Sequence, residues 1–488
     1  MDKACKKPNI LWIMTDQQKA TAMSCKGAPL GLTVNIDALA EDGIRFDNAY
    51  TPCPVCAPAR AAMKTGCFPP ATGVVKNWVG FSEGMSFLPH RLQKQSYCTG
   101  LIGKLHFTPP EGDYGFDKKW LSDAPYSVYA DDDKHSDYIK WLREYSFNKK
   151  GIDPVKLFDE DELALDAEPR KFIMGSSFRT KEEHETAWTT DSAIKFIDEQ
   201  TGEQPFFCYT SYFGPHQPYG PPAPYDKWIS ANDITLPSTY YEDCMQNNPV
   251  FKASCAKMQE HLKKDLTEQD YKELIAAYYG QMKMIDDSIG VLIEHLKAKG
   301  IYDDTMIIFS SDHGDYLGDY GLFFKGQMYD SCAKVPLIIK PSGGASANLR
   351  GTVRNEIVNT IDLYATILNA TGDFDWQTDK TQSRDLQPLL ANAKAEWDNC
   401  TYAIIGATKE TAQCMLRQDE YKLIRQAQGA ESAVYELYNL SENKEETIDL
   451  YENADYCKVR DTLKKKLDAW YQTQSSLYPE KTVDVRKK

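Results

Sequence analysis

The chain has 488 residues and a formal net charge of −15, with 42% hydrophobic and 26% charged residues. This length exceeds what one hydrophobic core usually fills, so we expect a large domain and a smaller one. The acidic balance argues against a nucleic-acid-binding protein, which would normally present a basic face.

Neither a membrane span nor a secretory signal is predicted. No segment approaches the roughly 20 apolar residues that cross a bilayer, so we expect no membrane partner. The apolar run at residues 10–14 is too short for a signal peptide. The 13 cysteines are scattered, as is typical of reduced thiols, and we therefore expect a cytoplasmic protein.

Continuous apolar runs, typical of buried strands in a parallel sheet, alternate with helical patterns along most of the chain. The predicted strands cover residues 9–14, 98–102, 205–212, 305–309 and 335–339. The predicted helices cover residues 35–42, 88–95, 267–299 and 361–370. Gly300 ends the longest helix as a C-cap. This alternation predicts an α/β architecture.

Polar side chains directly follow four of these strands: Asp16 and Gln17, Lys104 and His106, His216, and Asp312 and His313. Ligands of open α/β sheets bind where the carboxyl ends of parallel strands meet. The sequence therefore predicts one shared site at that edge of the sheet.

The C-terminal part has a different pattern. An irregular polar stretch from residue 373 to 399 is followed by short predicted strands at 402–405, 413–417 and 421–424 and a helix at 459–472. We place the boundary after residue 384, with residues 385–488 forming a small α+β domain with a short antiparallel sheet and a helix.

The run Cys56-Ala57-Pro58-Ala59-Arg60 has the strongest chemical signal. A helix starting near Pro58 would place Cys56 where free N–H groups and the helix dipole favour an anion. Arg60, one turn on, could neutralise a nucleophile or clamp an oxygen of an anion bidentately. The alternative is a redox or zinc pair with Cys53. Zinc would need a second ligand pair, which Cys67 alone does not supply.

Residues 56–66 resemble the signature of the sulfatase family, Cys-x-Pro-Ser/Ala-Arg followed by Thr-Gly. The resemblance extends to Asp16-Gln17, to residues 311–322, to Lys325 and to segments at 335–337, 361–363 and 436–440. The resemblance does not extend to residues 109–185 and 219–266. The resemblance implies an alkaline-phosphatase-like sandwich, with a central mixed, mostly parallel sheet between helices, and makes residues 1–384 the catalytic domain.

The family's chemistry implies a modified residue and a metal. A formylglycine-generating maturation enzyme would oxidise Cys56, and the hydrated aldehyde would attack the sulfur of a sulfate monoester. One divalent cation would bind Asp16, Gln17, Asp312, His313 and the modified Cys56. These ligands suit calcium, with magnesium or manganese as alternatives. Many members have Asn in place of His313, so the metal's identity stays open.

The resemblance also implies the substrate contacts. Arg60, Lys104 and Lys325 would supply positive charge to the sulfuryl group. His216 is the candidate general acid for the leaving alcohol, because imidazole titrates near neutral pH. His106 would orient the nucleophile or an oxygen. Asn77 resembles a family position near the substrate, so the substrate-binding set is Asn77, Lys104, His216 and Lys325.

Three functions fit these residues. The first is hydrolysis of a sulfate monoester on a carbohydrate or another small organic alcohol. The second is hydrolysis of phosphonate monoesters or phosphodiesters by the same site, because members with that activity also carry Asp-Gln and Asp-His. The third is a non-enzymatic protein with an unmodified cysteine and a bound anion. We expect a small anionic sulfate ester as the partner, a sulfated saccharide included, and the sequence leaves open whether the chain forms a homo-oligomer.

Overall fold

An eight-stranded sheet forms the centre of the protein. A computed structural model describes residues 7–123, 136–150, 179–241, 266–343, 347–378, 381–429 and 432–480. In chain order the strands of the central sheet are β1 (Asn9–Thr15), β2 (Ile44–Tyr50), β3 (Cys98–Gly103), β4 (Lys118–Leu121), β5 (Phe206–Ser211), β6 (Thr305–Ser311), β7 (Leu337–Lys340) and β8 (Thr352–Asn359).

The central sheet is mixed and mostly parallel, as predicted. Its order is β4-β3-β5-β1-β6-β7-β2-β8. Strand β7 pairs antiparallel with both β6 and β2, and the other pairings are parallel. The strands β1, β2, β3, β5 and β6 therefore end at one edge of the sheet, where the candidate site residues follow them.

Helices cover both faces of the central sheet. They are α1 (Val34–Asp42), α2 (Cys56–Thr65), α3 (Pro69–Thr72), α4 (Leu88–Lys94), α5 (Asp137–Lys150), α6 (Glu185–Asp198), α7 (Glu268–Ala298), α8 (Asp330–Ala333), α9 (Leu363–Ala370), α10 (Gln387–Ala391) and α11 (Cys457–Ser475). Alternate residues of β1 face opposite layers, since side chains alternate along a strand. Leu11 packs in one cluster with Leu292 of α7, and Trp12 packs in another with Met63 of α2.

Local sequence signals determine where the long helix α7 begins and ends. Thr267 and Asp270 form a capping box, in which the Asp270 N–H donates to Thr267 Oγ1 at 3.3 Å and the Thr267 N–H donates to the Asp270 carboxylate at 2.8 Å. After the helix, Gly300 adopts a φ of 68°, as the predicted C-cap requires. The prediction of a helix over residues 267–299 is confirmed.

A second sheet lies in the C-terminal part. It contains β9 (Cys400–Ile405), β10 (Gln413–Gln418), β11 (Tyr421–Ala427) and β12 (Ala433–Asn439), all antiparallel, in the order β12-β11-β10-β9. Leu416 of this sheet and Leu467 of α11 share a buried cluster with Ala62 of α2. The small sheet and α11 therefore pack against α2. The domain boundary after residue 384 stays a prediction.

Several elements were not predicted from the sequence. Strands β4 and β8 and helix α6 were missed, and the strand β12 was noted only as a family-like segment. In the part of the chain that the structure describes, no helix combines the length and the apolarity that a membrane crossing requires.

Candidate active site

Helix α2 begins at Cys56, directly at the carboxyl edge of the central sheet. Strand β2 ends at Tyr50, and five residues then lead into the helix. The Asn77 Oδ1 accepts a hydrogen bond from the Ala57 N–H at 3.0 Å, so this side chain satisfies a first-turn donor of α2. Asn77 thus positions the helix that carries Cys56, and its predicted contact with substrate stays a prediction.

Three buried side chains converge around the buried Cys56 thiol. The ligand atoms of Asp16, Cys56, Asp312 and His313 all lie within 4.8 Å of one another. The Cys56 Sγ is 3.1 Å from His313 Nε2 and 3.7 Å from Asp16 Oδ1. Asp16 follows β1, and Asp312 and His313 follow β6, the strand hydrogen-bonded to β1. The carboxyl ends of β1 and β6 therefore bring these three residues together, as the sequence predicted.

The chemistry of these donors fits a divalent cation. Two carboxylates with no solvent exposure are costly to bury unless cations neutralise them. The Gly314 carbonyl lies 2.9 Å from His313 Nδ1. A carbonyl can only accept, so Nδ1 carries a proton, and the neutral ring would direct the lone pair of Nε2 at a cation in the cluster. Carboxylates favour calcium, magnesium or manganese, and the imidazole also admits zinc.

Gln17 has a different role from the other predicted ligands. Its backbone has a φ of 65°, and its N–H donates to Asp312 Oδ1 at 3.1 Å. The side-chain Nε2 donates to Asp315 at 2.5 Å and to Gln217 at 2.8 Å, and the Oε1 accepts from Lys325. Gln17 therefore links the strand ends to Lys325, and its role as a metal ligand stays a prediction.

Arg60 binds the protein's own carboxylates. Its Nε donates to Asp312 at 2.7 Å, and Nη2 donates to Asp16 at 3.0 Å. Its Nη1 donates to the Lys104 carbonyl at 3.0 Å and to Ser211 Oγ at 2.7 Å. The guanidinium thus has internal partners, and its position one helical turn beyond Cys56 lets it orient both carboxylates. Its predicted role, neutralising a nucleophile or clamping an oxygen of an anion, stays a prediction.

Two lysines add positive charge to the site. Lys104 Nζ lies 2.8 Å from Asp16 Oδ2, and Lys325 contacts Gln17. Burial opposes a charge on Asp16, but Lys104 and Arg60 hold its pKa well below the usual value. Burial and Asp16 oppose a thiolate at Cys56, but Lys325, His313 and Lys104 lower its pKa. Position 56 therefore lies in a field that favours an anion.

The two predicted catalytic histidines border this field. His216 Nδ1 lies 2.6 Å from the Gln217 carbonyl, which places its proton on Nδ1. Burial, and then Lys325, hold the pKa of His216 well below its usual value. Burial, and then Lys104, do the same for His106. Both rings are neutral at neutral pH in the unliganded site. A bound anion would favour protonation.

Several supporting residues were missed from the sequence. Asp123 Oδ1 accepts the backbone N–H groups of Leu105 at 2.5 Å and His106 at 2.9 Å, and so fixes the loop after β3. Asp123 follows a strand that has no apolar run, so no signal marked it. Ser211 is the last residue of β5, and its place at the carboxyl edge could have identified it.

Lys64 of α2 was also missed. Its Nζ lies 3.7 Å and 3.5 Å from the ring centroids of Trp12 and Tyr209. Burial lowers the pKa of Lys64 well below the usual value. The sequence shows only a lysine within a helix, so its enclosure between two rings of the central sheet depends on tertiary packing.

Two family models match this chain. The model described as Sulfatase matches residues 8–373. The model described as N-sulphoglucosamine sulphohydrolase, C-terminal, matches residues 318–473. Together they cover the central sheet, the small sheet and most of α11.

Curated proteins with similar sequences are named as sulfatases. An arylsulfatase of Clostridium perfringens is 28% identical over 477 residues, which is 94% of this chain and 94% of that protein. An N-acetylglucosamine-6-O-sulfatase of Bacteroides thetaiotaomicron is 25% identical over 496 residues, which is 95% of this chain and 86% of that protein.

Solved structures share the fold at lower sequence identity. The phosphonate monoester hydrolase of Agrobacterium radiobacter superposes with a TM-score of 0.79 at 21% identity, covering 96% of both chains. A protein solved with its substrate D-glucosamine-2-N,6-O-disulfate superposes with a TM-score of 0.75 at 22% identity, covering 96% of this chain and 98% of that one. The chain therefore shares its fold with both of these proteins.

Proposed function

The chain belongs to the sulfatase family, and on that premise we propose that it hydrolyses sulfate monoesters of small organic alcohols, sulfated sugars among them. The observation that carries the proposal is the environment of Cys56. Its thiol lies at the first residue of α2, within 3.1 Å of His313 Nε2 and 3.7 Å of Asp16 Oδ1. A helix N-terminus and nearby lysines stabilise an anionic nucleophile.

The proposed nucleophile is a formylglycine made from Cys56 by a maturation enzyme. In this family the modified residue supplies a hydrated aldehyde whose hydroxyl attacks sulfur. This chain's own side chains would position the modified residue and stabilise its negative charge. Asn77 helps to fix the position of residue 56 by accepting the Ala57 N–H. Lys325 and Lys104 supply the positive field that favours an anion at this position.

A divalent cation would be held by Asp16, Asp312, His313 and position 56, with Gln17 as a further candidate. Bound there, it would add positive charge beside the nucleophile and the sulfuryl oxygens. Arg60 already holds Asp16 and Asp312 at 3.0 and 2.7 Å, so these carboxylates are oriented before any ligand arrives. Such preorganisation lowers the cost of organising charge during the reaction.

Substrate charge and the leaving group are assigned to three residues. Lys104 and Lys325 would bind the sulfuryl oxygens, because Lys104 Nζ lies 2.8 Å from Asp16 Oδ2 and Lys325 contacts Gln17 beside the cluster. Once the bound anionic substrate has favoured protonation of His216, the ring would give its Nε2 proton to the departing alkoxide, since Nδ1 already faces the Gln217 carbonyl. Cleavage of the S–O bond releases the alcohol and leaves the sulfate bonded to an oxygen of residue 56. Loss of the proton from the remaining geminal hydroxyl then breaks the C–O bond to the sulfate, which expels sulfate and re-forms the aldehyde, and water hydrates the aldehyde again.

A second candidate function uses the same site. Gln17 and His313 are the two residues at which this chain departs from the commoner Asp and Asn, and both occur in members that cleave phosphonate monoesters. His313 Nε2 belongs to the cluster, 3.1 Å from Cys56 Sγ. Hydrolysis of phosphonate monoesters or phosphodiesters is therefore the alternative to sulfate hydrolysis.

Matched esters separate the two functions. If the chain is a sulfate-ester hydrolase, we expect a higher kcat/KM for 4-nitrophenyl sulfate than for 4-nitrophenyl phenylphosphonate. The two esters release the same alcohol and differ only in the group attacked, so the ratio of their kcat/KM values reports the preference for sulfate or phosphonate. Cys56→Ala measured on both esters controls for contaminating hydrolases. A higher kcat/KM for the phosphonate in the wild type would replace sulfate hydrolysis with the alternative. The cytoplasmic location also stays a prediction, and under it the substrates would be small imported esters.

A further inference from the structure

Trp78 is a large aromatic side chain at the rim of the candidate active site. Of the nine tryptophans, all within the described residues, only Trp78 is in the exposed class. Its side chain is 39% exposed. It directly follows Asn77, whose Oδ1 binds the Ala57 N–H beside Cys56. The chain therefore places an exposed indole one residue from a group that contacts the nucleophile helix.

The indole packs against a histidine of the site. Trp78 and His106 meet edge to face, with ring centroids 5.4 Å apart and an interplanar angle of 66°. His106 comes two residues after Lys104, whose Nζ binds Asp16 at 2.8 Å. The His106 Nδ1 is buried and has no hydrogen-bond partner among the described residues. A polar atom of this kind can hydrogen-bond a ligand.

Both rings are held by unusual backbone conformations. Trp78 has a φ of 68° and His106 a φ of 61°. Side chains larger than glycine rarely adopt this region, and bulky ones least of all. Glycine would meet the backbone requirement without strain. The use of tryptophan at this position therefore indicates a role for the ring itself.

We propose that Trp78 and His106 form the subsite for the alcohol half of the ester, and that this subsite accepts a ring with a flat apolar face. An aryl ring and a pyranose share this feature, and either can stack on the indole. The sulfuryl group would then lie toward Lys104 and Lys325, and His106 Nδ1 would face the ring's polar edge. The inference rests on the proposed sulfate-ester hydrolysis and names the class of alcohol.

Two ring esters and one acyclic ester test the subsite. We expect Trp78→Ala to lower kcat/KM about tenfold for 4-nitrophenyl sulfate and for glucosamine 6-sulfate, mainly through KM, because a stacked ring is lost. Ethyl sulfate should be nearly unaffected. It is a primary alkyl sulfate like the 6-sulfate, so the pair differs in the ring and not in the leaving oxygen. Trp78→Phe should restore most of the loss, and the larger loss between the two ring esters identifies the ring that fits.

Two further variants separate the ring from the backbone and from general exposure. Trp78→Gly suits the positive φ and should show the same ring-specific loss as Trp78→Ala. Phe374, 63% exposed, is a matched surface aromatic elsewhere in the chain, and Phe374→Ala should leave all three esters unchanged.

Two outcomes would contradict the inference or its premise. Equal losses of Trp78→Ala on ring and acyclic esters, or no loss on any, would overturn the subsite while leaving sulfate hydrolysis intact. A wild type that cleaves none of the sulfate esters would overturn the proposed function itself.

Discussion

Replacing Arg60 with methionine tests whether this side chain acts on the protein or on the substrate. The variant keeps most of the side-chain volume but removes the donors to Asp16 and Asp312, at 3.0 and 2.7 Å. Both carboxylates have no solvent exposure. Leaving a buried charge without its partner costs about 3–5 kcal/mol. Since Tm falls by about 1–2 °C per kcal/mol in a chain of this size, we expect a decrease of roughly 5 °C.

The measurement is thermal unfolding of wild type and Arg60→Met, each with EDTA and with added calcium. A cation between the carboxylates would partly replace the lost guanidinium, so the difference in Tm should shrink when calcium is present. Arg354→Met is the matched control, because Arg354 binds one carboxylate, the more exposed Glu356, at 2.8 Å. The control should lose about 1 kcal/mol or less.

One result would refute this reasoning. If Arg60→Met kept the wild-type Tm in EDTA while kcat/KM fell strongly, Arg60 would act on the substrate, as the anion clamp that the sequence alone suggested. A Tm unaffected in EDTA and an unchanged kcat/KM would remove Arg60 from the site altogether.

Three other predictions concern single side chains. Asn77→Ala should lose about 1 kcal/mol of stability, because the Ala57 N–H loses its acceptor; an unchanged Tm would contradict this. His216→Ala should lower kcat more for ethyl sulfate than for 4-nitrophenyl sulfate, whose leaving group needs no proton; equal losses would exclude the general acid. Burial raises the pKa of Glu446 from 4.5 to about 7. Between these two pH values the folded state holds a proton that the unfolded state releases, so stability should fall as the pH rises from 4.5 to about 7. In Glu446→Gln the slope of Tm against pH over that range should be smaller, and identical slopes would count against the assignment.

The central strands and the long helix could be predicted because local patterns determine them. The apolar run of β1 and the capping box and stripe of α7 are visible in the sequence. Strand β4 (Lys118–Leu121) lies at the edge of the sheet and is largely half-buried, so it has no apolar run to detect. Strand β8 carries charged residues at the other edge and was missed for the same reason.

The sequence predicted which residues form the candidate site better than it predicted which atoms those residues contact. Asp16, Asp312 and His313 follow strands whose parallel pairing brings their ends together, so their meeting follows from the fold. Which atoms Arg60 and Gln17 contact depends on side-chain geometry that no spacing encodes. Arg60 binds carboxylates, and Gln17 binds Lys325.

The most direct test of the central claim is mass spectrometry of the peptide that contains Cys56, taken from enzyme of measured specific activity. We predict an aldehyde in place of the thiol, with the modified fraction rising in proportion to activity towards 4-nitrophenyl sulfate. Cys53→Ala, which alters a buried thiol three residues away, should retain both the modification and the activity, whereas Cys56→Ala should abolish activity. An unmodified Cys56 thiol in fully active enzyme would contradict the proposed nucleophile.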